Sequence, residues 1–499
     1  MAKSTAEVRT ESVRLSVTLS PQGTLVGEPS IVDLEDYEVS KGNTKALLRK
    51  IDRNLIPIIT ALYLLSWLDF SNLDNAKENG LTKDLRMTGK DDFNIAVSVF
   101  FPSYLISQIP SNLVMRAWRP SLWVPSLMLG WAMIITCMGF VRNFAGLLVA
   151  RVFLGLFEGG VFPGIVYFIS MWYQSHECGL RIAMMYSVAV AGDSFNDLVG
   201  NAILRLDGRA GLGGWCWLFI MEGSVTLVAA LVAFRLMQDY PESATFLTPF
   251  ERRLVMQRID EEQGSMPKNF RLKYVKDALT DWKIWVHMLV TLGVTVPMFA
   301  ISQFLPGIIE EMGYQGVQAK LMGIPPRLVA SAFVLAGGFA ADRHEQRGVF
   351  IIGFCLIGMV GFSILGTAKS LEMEYVATFL IAIGTFPIVP QDVAWNANNI
   401  GGSTKRAVGI AMQIGLGNLG EGLAGFIICK ENARRFVSGH GILLGMMGVS
   451  CVLTAVMTWY CRRENQMRAS RQYLPCLTTR EQLEQRERGD RASFFVLTT

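Results

Sequence analysis

Charge is scarce in this chain. Only 18% of its 499 residues are Asp, Glu, Lys or Arg, and the net charge is +4 at pH 7. So small and dispersed a surplus excludes the basic patch that nucleic acid binding requires. Histidine is scarcer: the four residues, at 176, 287, 344 and 440, are too far apart in sequence to form a chelating cluster. The eight cysteines (137, 178, 216, 355, 429, 451, 461 and 476) have no paired spacing, which excludes a disulfide scaffold or a zinc site. No Walker sequence, nucleophile triad or cofactor loop is visible, so the chain reads as a protein without cofactor or metal and not as an enzyme. Residues 1–48 lack the basic and apolar regions of a signal peptide and read as a disordered cytosolic tail.

What the chain has is apolar length. Apolar residues make up 51% of it, and the mean hydropathy is +0.33. Runs of membrane-spanning length fall at 54–71, 92–115, 120–141, 144–171, 182–204, 215–237, 284–308, 321–341, 349–367, 375–397, 405–429 and 441–461. The expected fold is all-α and integral to the membrane, with twelve transmembrane helices. Lys and Arg favour the side of the termini by about two to one, which places both ends in the cytosol. The polar stretch 238–283 follows the sixth span as a cytosolic linker, with a short surface helix expected near 251–261. It separates a six-helix half at 49–237 from another at 284–463, with a cytosolic tail at 464–499. An offset of 225 residues superposes Gly159 on Gly384, Arg181 on Arg406, Gly192 on Gly417 and Gly200 on Gly425. Two parallel halves around a cavity are a transporter architecture.

Within these spans, ionisable residues are costly and normally face a bundle interior or a polar cavity. Arg151 and Glu158 lie seven residues apart on one face of span four, with Gly155 between them. Gly155 with Gly159, and Gly160 with Gly164, form small-xxx-small pairs that admit a close neighbouring helix. Span five carries Asp193, Asp197 and Asn201 at i, i+4 and i+8. Two nearby buried carboxylates can share a proton, as a proton-coupled carrier needs, or they can pair with Arg151. Asp69 lies deep near the end of span one, and His287 near the inner end of span seven either lines the cavity or packs. Asp392, Asn396 and Asn399 share a face of span ten; Asn418 and Glu421 share one in span eleven. The proton-coupling candidates are thus Asp193, Asp197, Glu158 and Glu421. The cavity candidates are Asp69, Arg151, Asn396, Asn418 and His287. At the junction of spans eight and nine, Asp342 can latch one conformation while Arg343 and Arg347 stay at the headgroup level; Arg181 and Arg406 join this gating set.

Several pieces together resemble the major facilitator superfamily, specifically the fungal allantoate permease-like branch of the anion:cation symporters. They include Leu68-Asp69, Asn75-Ala-Lys77, Pro110-Ser-Asn112, Arg151 to Pro163-Gly164, Ser170-Met-Trp-Tyr173, Glu177 and Arg181. Later come Gly214-Trp-Cys-Trp-Leu-Phe-Ile-Met-Glu-Gly223, Trp395-Asn396, Lys405-Arg406 and Gly417-Asn-Leu-Gly420. The resemblance covers residues 50–465. It implies a secondary active transporter of a small organic solute (an organic anion, vitamin or nitrogen compound), driven by proton symport through alternating access in the fungal plasma membrane and working as a monomer within the lipid bilayer. An exporter working by proton exchange, or a nutrient sensor without transport, are the alternatives. The sequence departs from the branch at Phe70 and Cys216, where arginine is usual, at Asp74, where glycine is usual, and at Asp193 and Asp197, where the segment is usually small and glycine-rich. Two positive charges lost and two acids gained leave a neutral, zwitterionic or cationic substrate open.

Overall fold

The computed structural model describes residues 31–89, 91–263, 270–428, 437–471, 489–492 and 495–499. Two compact units are distinguished, Met1–Arg53 and Asn54–Thr499. Among the described residues, every regular element is helical. Helix α1 (Ile31–Glu78) begins upstream of residue 49, so residues 31–48 are helical where a disordered tail was expected. After a turn at Gly80 come the single-turn α2 (Leu81–Asp84), then α3 (Asp92–Ser98) and α4 (Phe100–Ala117), which share the expected second span. Pro120 opens α5 (Pro120–Met138), its fixed φ suiting the first helical position. Asn143 caps α6 (Phe144–Glu158) by accepting from the Gly146 N–H at 2.7 Å. The chain breaks at Gly159-Gly160 and resumes as α7 (Val161–Ser170), so the expected fourth span is two helices. A capping box of Gln174 and Glu177 starts α8 (Ser175–Leu204), which is followed by α9 (Gly214–Leu236).

The linker holds α10 (Pro249–Gln263), where a surface helix was expected, and α11 (Leu272–Leu279). Asp281 caps α12 (Trp282–Glu311), and α13 (Val317–His344) and α14 (Arg347–Thr367) follow. Span ten is also divided, into α15 (Leu371–Thr385) and α16 (Ile388–Asn398), on either side of Phe386-Pro387. The last two helices are α17 (Ser403–Ile428) and α18 (Val437–Arg471). Ten segments among the described residues are long and apolar enough to cross a membrane. Neither α8 nor α17 is in that set. The apolar criterion thus supports ten of the twelve expected spans.

Packing follows the small residues. Helix α4 lies against α6 on one side and α17 on the other. A Cβ on Gly155 would come within 2.6 Å of the Phe100 carbonyl oxygen, and one on Gly159 within 2.5 Å of that of Tyr104. These glycines therefore admit the α4 backbone, as their spacing predicted. The long pairings are α5 with α9, α8 with α13, α12 with α17 and α14 with α15. One end of the bundle carries the linker. There Tyr240 donates to the Met115 carbonyl at 2.9 Å, and Arg258 pairs with Glu177 at 2.6 Å. This end is called the linker face below.

The segment after α18 returns to the same face, so part of the expected cytosolic tail is docked. Asp490 is buried between Lys283 and Lys405, the latter at 2.6 Å, and Lys405 also reaches Asp281 at 2.5 Å. Arg468 donates to the Phe495 carbonyl at 2.6 Å, and Asn465 exchanges hydrogen bonds of 2.7 and 2.9 Å with the Leu497 backbone. Trp395 and Asn399 donate to the Thr498 carbonyl at 2.8 and 3.1 Å. The Arg347 backbone N–H donates to the Thr499 carbonyl oxygen at 2.5 Å.

Burial opposes the charge of Asp490, but Lys283 and Lys405 outweigh it and hold the carboxyl below its ordinary range. The ion pair therefore contributes fully above about pH 4 and is lost as the pH falls through the lowered value. A spin label on Val496, which is 73% exposed, should be immobile from pH 5 to 8. Asp490→Asn should free it at pH 7 by removing on the order of 3 kcal/mol of docking energy. Equal immobility in the two proteins would exclude the ion pair as the anchor.

Candidate transport site

Three carboxylates converge behind α1. Asp69 of α1 lies within electrostatic reach of both Glu158 of α6 and Glu222 of α9, with Arg151 of α6 as the cation neighbouring Asp69 and Glu158. Asn72 ties two of them together, donating to Asp69 Oδ1 at 3.3 Å and to Glu222 Oε2. Ser66 donates to Glu158 Oε1 at 3.3 Å. Trp131 of α5 lies beside Asp69, but neither its Nε1 nor Asp69 Oδ2 makes a hydrogen bond of normal geometry. The Arg151 Nε donates to the Ala96 carbonyl at 3.2 Å, and its guanidinium sits 4.9 Å from the centre of the Phe100 ring. The cluster belongs to α1, α5, α6 and α9 and sets three acids beside one fixed cation, with short polar links between them.

A second set of polar groups joins helices before the linker to helices after it. At the linker face, Asp342 of α13 accepts from the Leu180 N–H of α8 at 2.6 Å and from Arg347 at 2.6 Å. Arg347 also donates to the Ser175 carbonyl at 3.0 Å, which accepts again from Asn398 at 2.8 Å. Arg406 donates to the Ser170 carbonyl at 3.4 Å, and Arg116 to Ser403 at 3.0 Å. Deeper along α4 and α17, Asn112 donates to the Ala407 carbonyl at 2.9 Å, and Asn418 to the Tyr104 hydroxyl at 2.8 Å. The seam between α8 and α13 continues through Ser331, which donates to the Ser187 carbonyl at 2.8 Å. Beyond it Arg327 pairs with Asp193 at 3.5 Å, and Lys320 donates to Asn201 at 3.2 Å. On α13 the seam residues 320, 327, 331, 338 and 342 alternate steps of seven and four, the repeat of a helix presenting one stripe to its neighbour.

A third network lies within the later helices. His287 Nδ1 is 2.6 Å from Asp392 Oδ1, and Thr291 and Gln413 donate to Asp392 Oδ2 at 2.8 and 2.9 Å. Asn396 donates to Gln413 Oε1 at 2.8 Å. All five side chains are buried. The network cross-links α12, α16 and α17 where they approach the linker face.

The structure thus brings Asp69, Arg151 and Glu158 into one cluster, Asp193 into the seam, and Asp342, Arg347 and Arg406 into the linker-face contacts. His287 and Asn396 meet in the third network, while Asn418 stands apart on the α4–α17 contact. Arg347 corrects an expectation: it is 1% exposed and bonded across the seam, because Asp342 and the Ser175 carbonyl solvate its guanidinium, whereas Arg343 is exposed as expected. Asp193 meets Arg327, where one of the two readings of the sequence paired it with Arg151. Arg181 lies over the Tyr173 ring at 4.8 Å and is within electrostatic reach of Asp342 across the seam. The side chains of Asp197 and Glu421 lie outside the described residues. Glu222, Arg327, Gln413 and Thr291 were missed. Glu222 and Arg327 were visible as the lone acid of span six and the cation after Pro325-Pro326 in span eight.

A family model described as Major Facilitator Superfamily matches residues 59–428. The chain is 32% identical over 433 residues to MFS transporter prlL of Fungal sp. (strain NRRL 50135), covering 84% of this chain and 87% of that relative. It is also 32% identical over 465 residues to MFS-type transporter cnsO of Penicillium expansum, covering 89% and 90%. Among solved structures, the proton:xylose symporter XylE of E. coli, bound to 6-bromo-6-deoxy-D-glucose, superposes with a TM-score of 0.62 at 14% identity, covering 82% of this chain and 96% of that one. That last likeness is one of fold.

The linker-face contacts generate a direct test. Cys178 is buried beside them, its thiol 3.5 Å from the Tyr173 carbonyl oxygen. Arg347→Gln removes charged hydrogen bonds worth on the order of 2 kcal/mol, so maleimide labelling of Cys178 should accelerate by roughly 30-fold. An unchanged rate, read by peptide mass spectrometry, would show that Arg347 does not hold this face closed.

Proposed function

This chain belongs to the major facilitator superfamily and is a multi-pass secondary transporter of a small solute, not an enzyme; on that premise we propose that it carries a small organic acid into the cytosol together with protons. The finer placement proposed is the allantoate permease-like branch, in the fungal plasma membrane, with the carrier working as a monomer. Helices α8 and α17 complete twelve spans in this reading. At 30 and 26 residues each is long enough to cross. Their polar residues are tolerated because both helices pack against partners across the linker, where a polar group finds another polar group and not lipid. The halves proposed are residues 49–237 and 284–463. The matching breaks, at Gly159-Gly160 and Phe386-Pro387, support a duplicated plan. The basic-residue bias supports a cytosolic linker face and cytosolic termini.

The observation that carries the proton assignment is the cluster of Asp69, Glu158 and Glu222 around one arginine. Three ionised carboxylates against one guanidinium would leave two uncompensated charges in an apolar interior, and a bound proton removes one. The cluster lies on α1, which also borders the other polar groups: its Leu68 carbonyl accepts from Asn196 of α8 at 3.1 Å. A change of charge at Asp69 can therefore shift α1 and, through it, α8, whose far side forms the seam. Opening at the linker face then requires the contacts of Asp342, Arg347, Asn398 and Arg406 to part. Asp193 is assigned away from proton coupling because Arg327 engages it.

In proteoliposomes with a panel of labelled small acids and amides, an inward proton gradient should drive accumulation of at least one acid. Glu158→Gln should reduce gradient-driven accumulation at least about tenfold while exchange of labelled for unlabelled solute persists. Accumulation that keeps its full pH dependence in a well-folded Glu158→Gln carrier would remove this cluster from coupling.

A further inference from the structure

Among the described residues, no lysine or arginine pairs with Asp392, although it is buried completely. Its Oδ2 accepts from Thr291 and Gln413, both neutral, and its Oδ1 lies 2.6 Å from His287 Nδ1. So short a contact between a ring nitrogen and a carboxylate marks a charge-assisted hydrogen bond. The other ring nitrogen, His287 Nε2, is also buried and makes no hydrogen bond among the described residues. The imidazole stands edge-on to Trp395, with 5.0 Å between ring centres.

The charges on the helices around this pair are engaged elsewhere. One turn before His287 on α12, Lys283 binds Asp490, while Lys405 of α17 binds Asp490 and Asp281. Two lysines there meet two carboxylates, so that group is neutral as a whole. Arg347 of α14 is held by Asp342 of α13, and Arg406 of α17 donates to the Ile400 and Ser170 carbonyls. On α8, Glu177 pairs with Arg258 and Arg181 lies over the Tyr173 ring. Cys355 of α14, within electrostatic reach of Asp392, is hydrogen-bonded to Cys451 of α18, and a thiol brings no positive charge. Helix α7 has no charged residue, and the two acids of α15 stand in its first turn, at the far end from α16. With His287 neutral, the pair therefore carries one negative charge in an apolar setting, which is costly. A proton on Nε2 turns it into imidazolium and carboxylate, neutral in sum, with both ring nitrogens as donors.

We propose that His287 and Asp392 form a second proton-binding site of this carrier, filled at His287 Nε2 from the linker face, and that the bound proton keeps that face closed. The inference rests on the carrier reading and adds a site in the later helices to the cluster near α1. His287 stands five residues, about 8 Å, inside the linker-face end of α12, so the pair is sealed only while that face is shut. When the face parts, the proton on Nε2 passes to entering water, and the same water solvates the negative charge left behind. A proton returning to the Nε2 lone pair restores a neutral pair that can be buried again. Helix α16 links this event to the gate. Asp392 ties α16 to α12 and α17, and Asn398, six residues and about 9 Å farther along α16, donates to the Ser175 carbonyl of α8 at 2.8 Å. The α1 cluster then carries protons across, while this pair reads the acidity on the linker side.

The test uses the full-length protein in lipid nanodiscs, with isotope-labelled histidine and the proton itself as the probe. His176→Gln serves as the background, because that exposed imidazole stands two residues from Cys178. Three imidazoles remain, and His344→Gln and His440→Gln assign the signal of His287 without touching the pair. His287 Nε2 should hold a proton near about pH 5 and lose it by about pH 9 in one step; Asp392→Asn should abolish that step. Maleimide labelling of Cys178 reads the gate. Its rate, divided by the rate in His287→Gln at the same pH to cancel the titration of the thiol, should rise roughly tenfold over that range. A His287 that does not titrate overturns the site, as does a step that persists unchanged in Asp392→Asn. Titration with a ratio independent of pH overturns its hold on the linker face. If His287→Gln fails to fold, Asp392→Asn replaces it as the reference and the same outcomes decide. In proteoliposomes, gradient-driven uptake of a labelled acid beside a silent His287 would remove this site and leave the carrier reading standing. A titrating His287 in a protein that moves no labelled acid under any gradient would uphold the site and sink the carrier reading.

Discussion

Arg347 is the point through which three separate stretches of chain are joined. Its guanidinium reaches Asp342 and the Ser175 carbonyl, and its backbone N–H reaches Thr499. A guanidinium this buried is tolerable only because carboxylate and carbonyl oxygens replace its water. The demand is reciprocal, since Asp342 is also held by the Leu180 N–H from across the seam. Removing one member strands the others in an apolar setting. The approach of α8 to the α13–α14 junction is therefore held by groups that depend on one another.

The seam above it is graded. Near the linker face its ionic contact measures 2.6 Å between groups almost without exposure; farther along it measures 3.5 Å between groups that water reaches. Coulomb attraction falls both with distance and with the dielectric response of nearby water, so the inner contact is the stronger of the two. A structure held this way rests with the linker face shut and yields more readily at its other end. The proposed transport cycle needs that inequality to be reversible, and the proposed charge changes near α1 would reverse it.

Features set by local pattern were legible from the sequence. The apolar runs located the helices, and the spacing of Gly155 and Gly159 foretold a close neighbour on that face. The polar composition of 238–283 marked the linker, and α10 formed within it. Features set by partners distant in sequence were not legible. Asp193 and Arg327 are 134 positions apart, and Asn72 and Glu222 are 150 apart, so no periodicity relates them. The breaks between α6 and α7 and between α15 and α16 were hidden because apolar composition continues straight through them. Arg347 looked like a headgroup anchor because a basic residue beside a turn usually is one; the burial that changed its role comes from Ser175, on a helix 172 positions earlier.

The docked segment at 489–499 also bears on biosynthesis. A chain emerges from the ribosome in order, so Lys283 and Lys405 are inserted and folded long before Asp490 is translated. Until then Asp281 is the only carboxylate of that cluster present for the two lysines, and the places of Phe495 and Leu497 are bare. This later-made stretch therefore adds its contacts to a linker face whose helices α1 to α18 are already translated. A stop codon just after α18 would spare α1 to α18 and yet leave a chain displaying a basic, apolar surface without Asp490, Phe495 and Leu497, the kind of feature by which quality control separates finished proteins from unfinished ones.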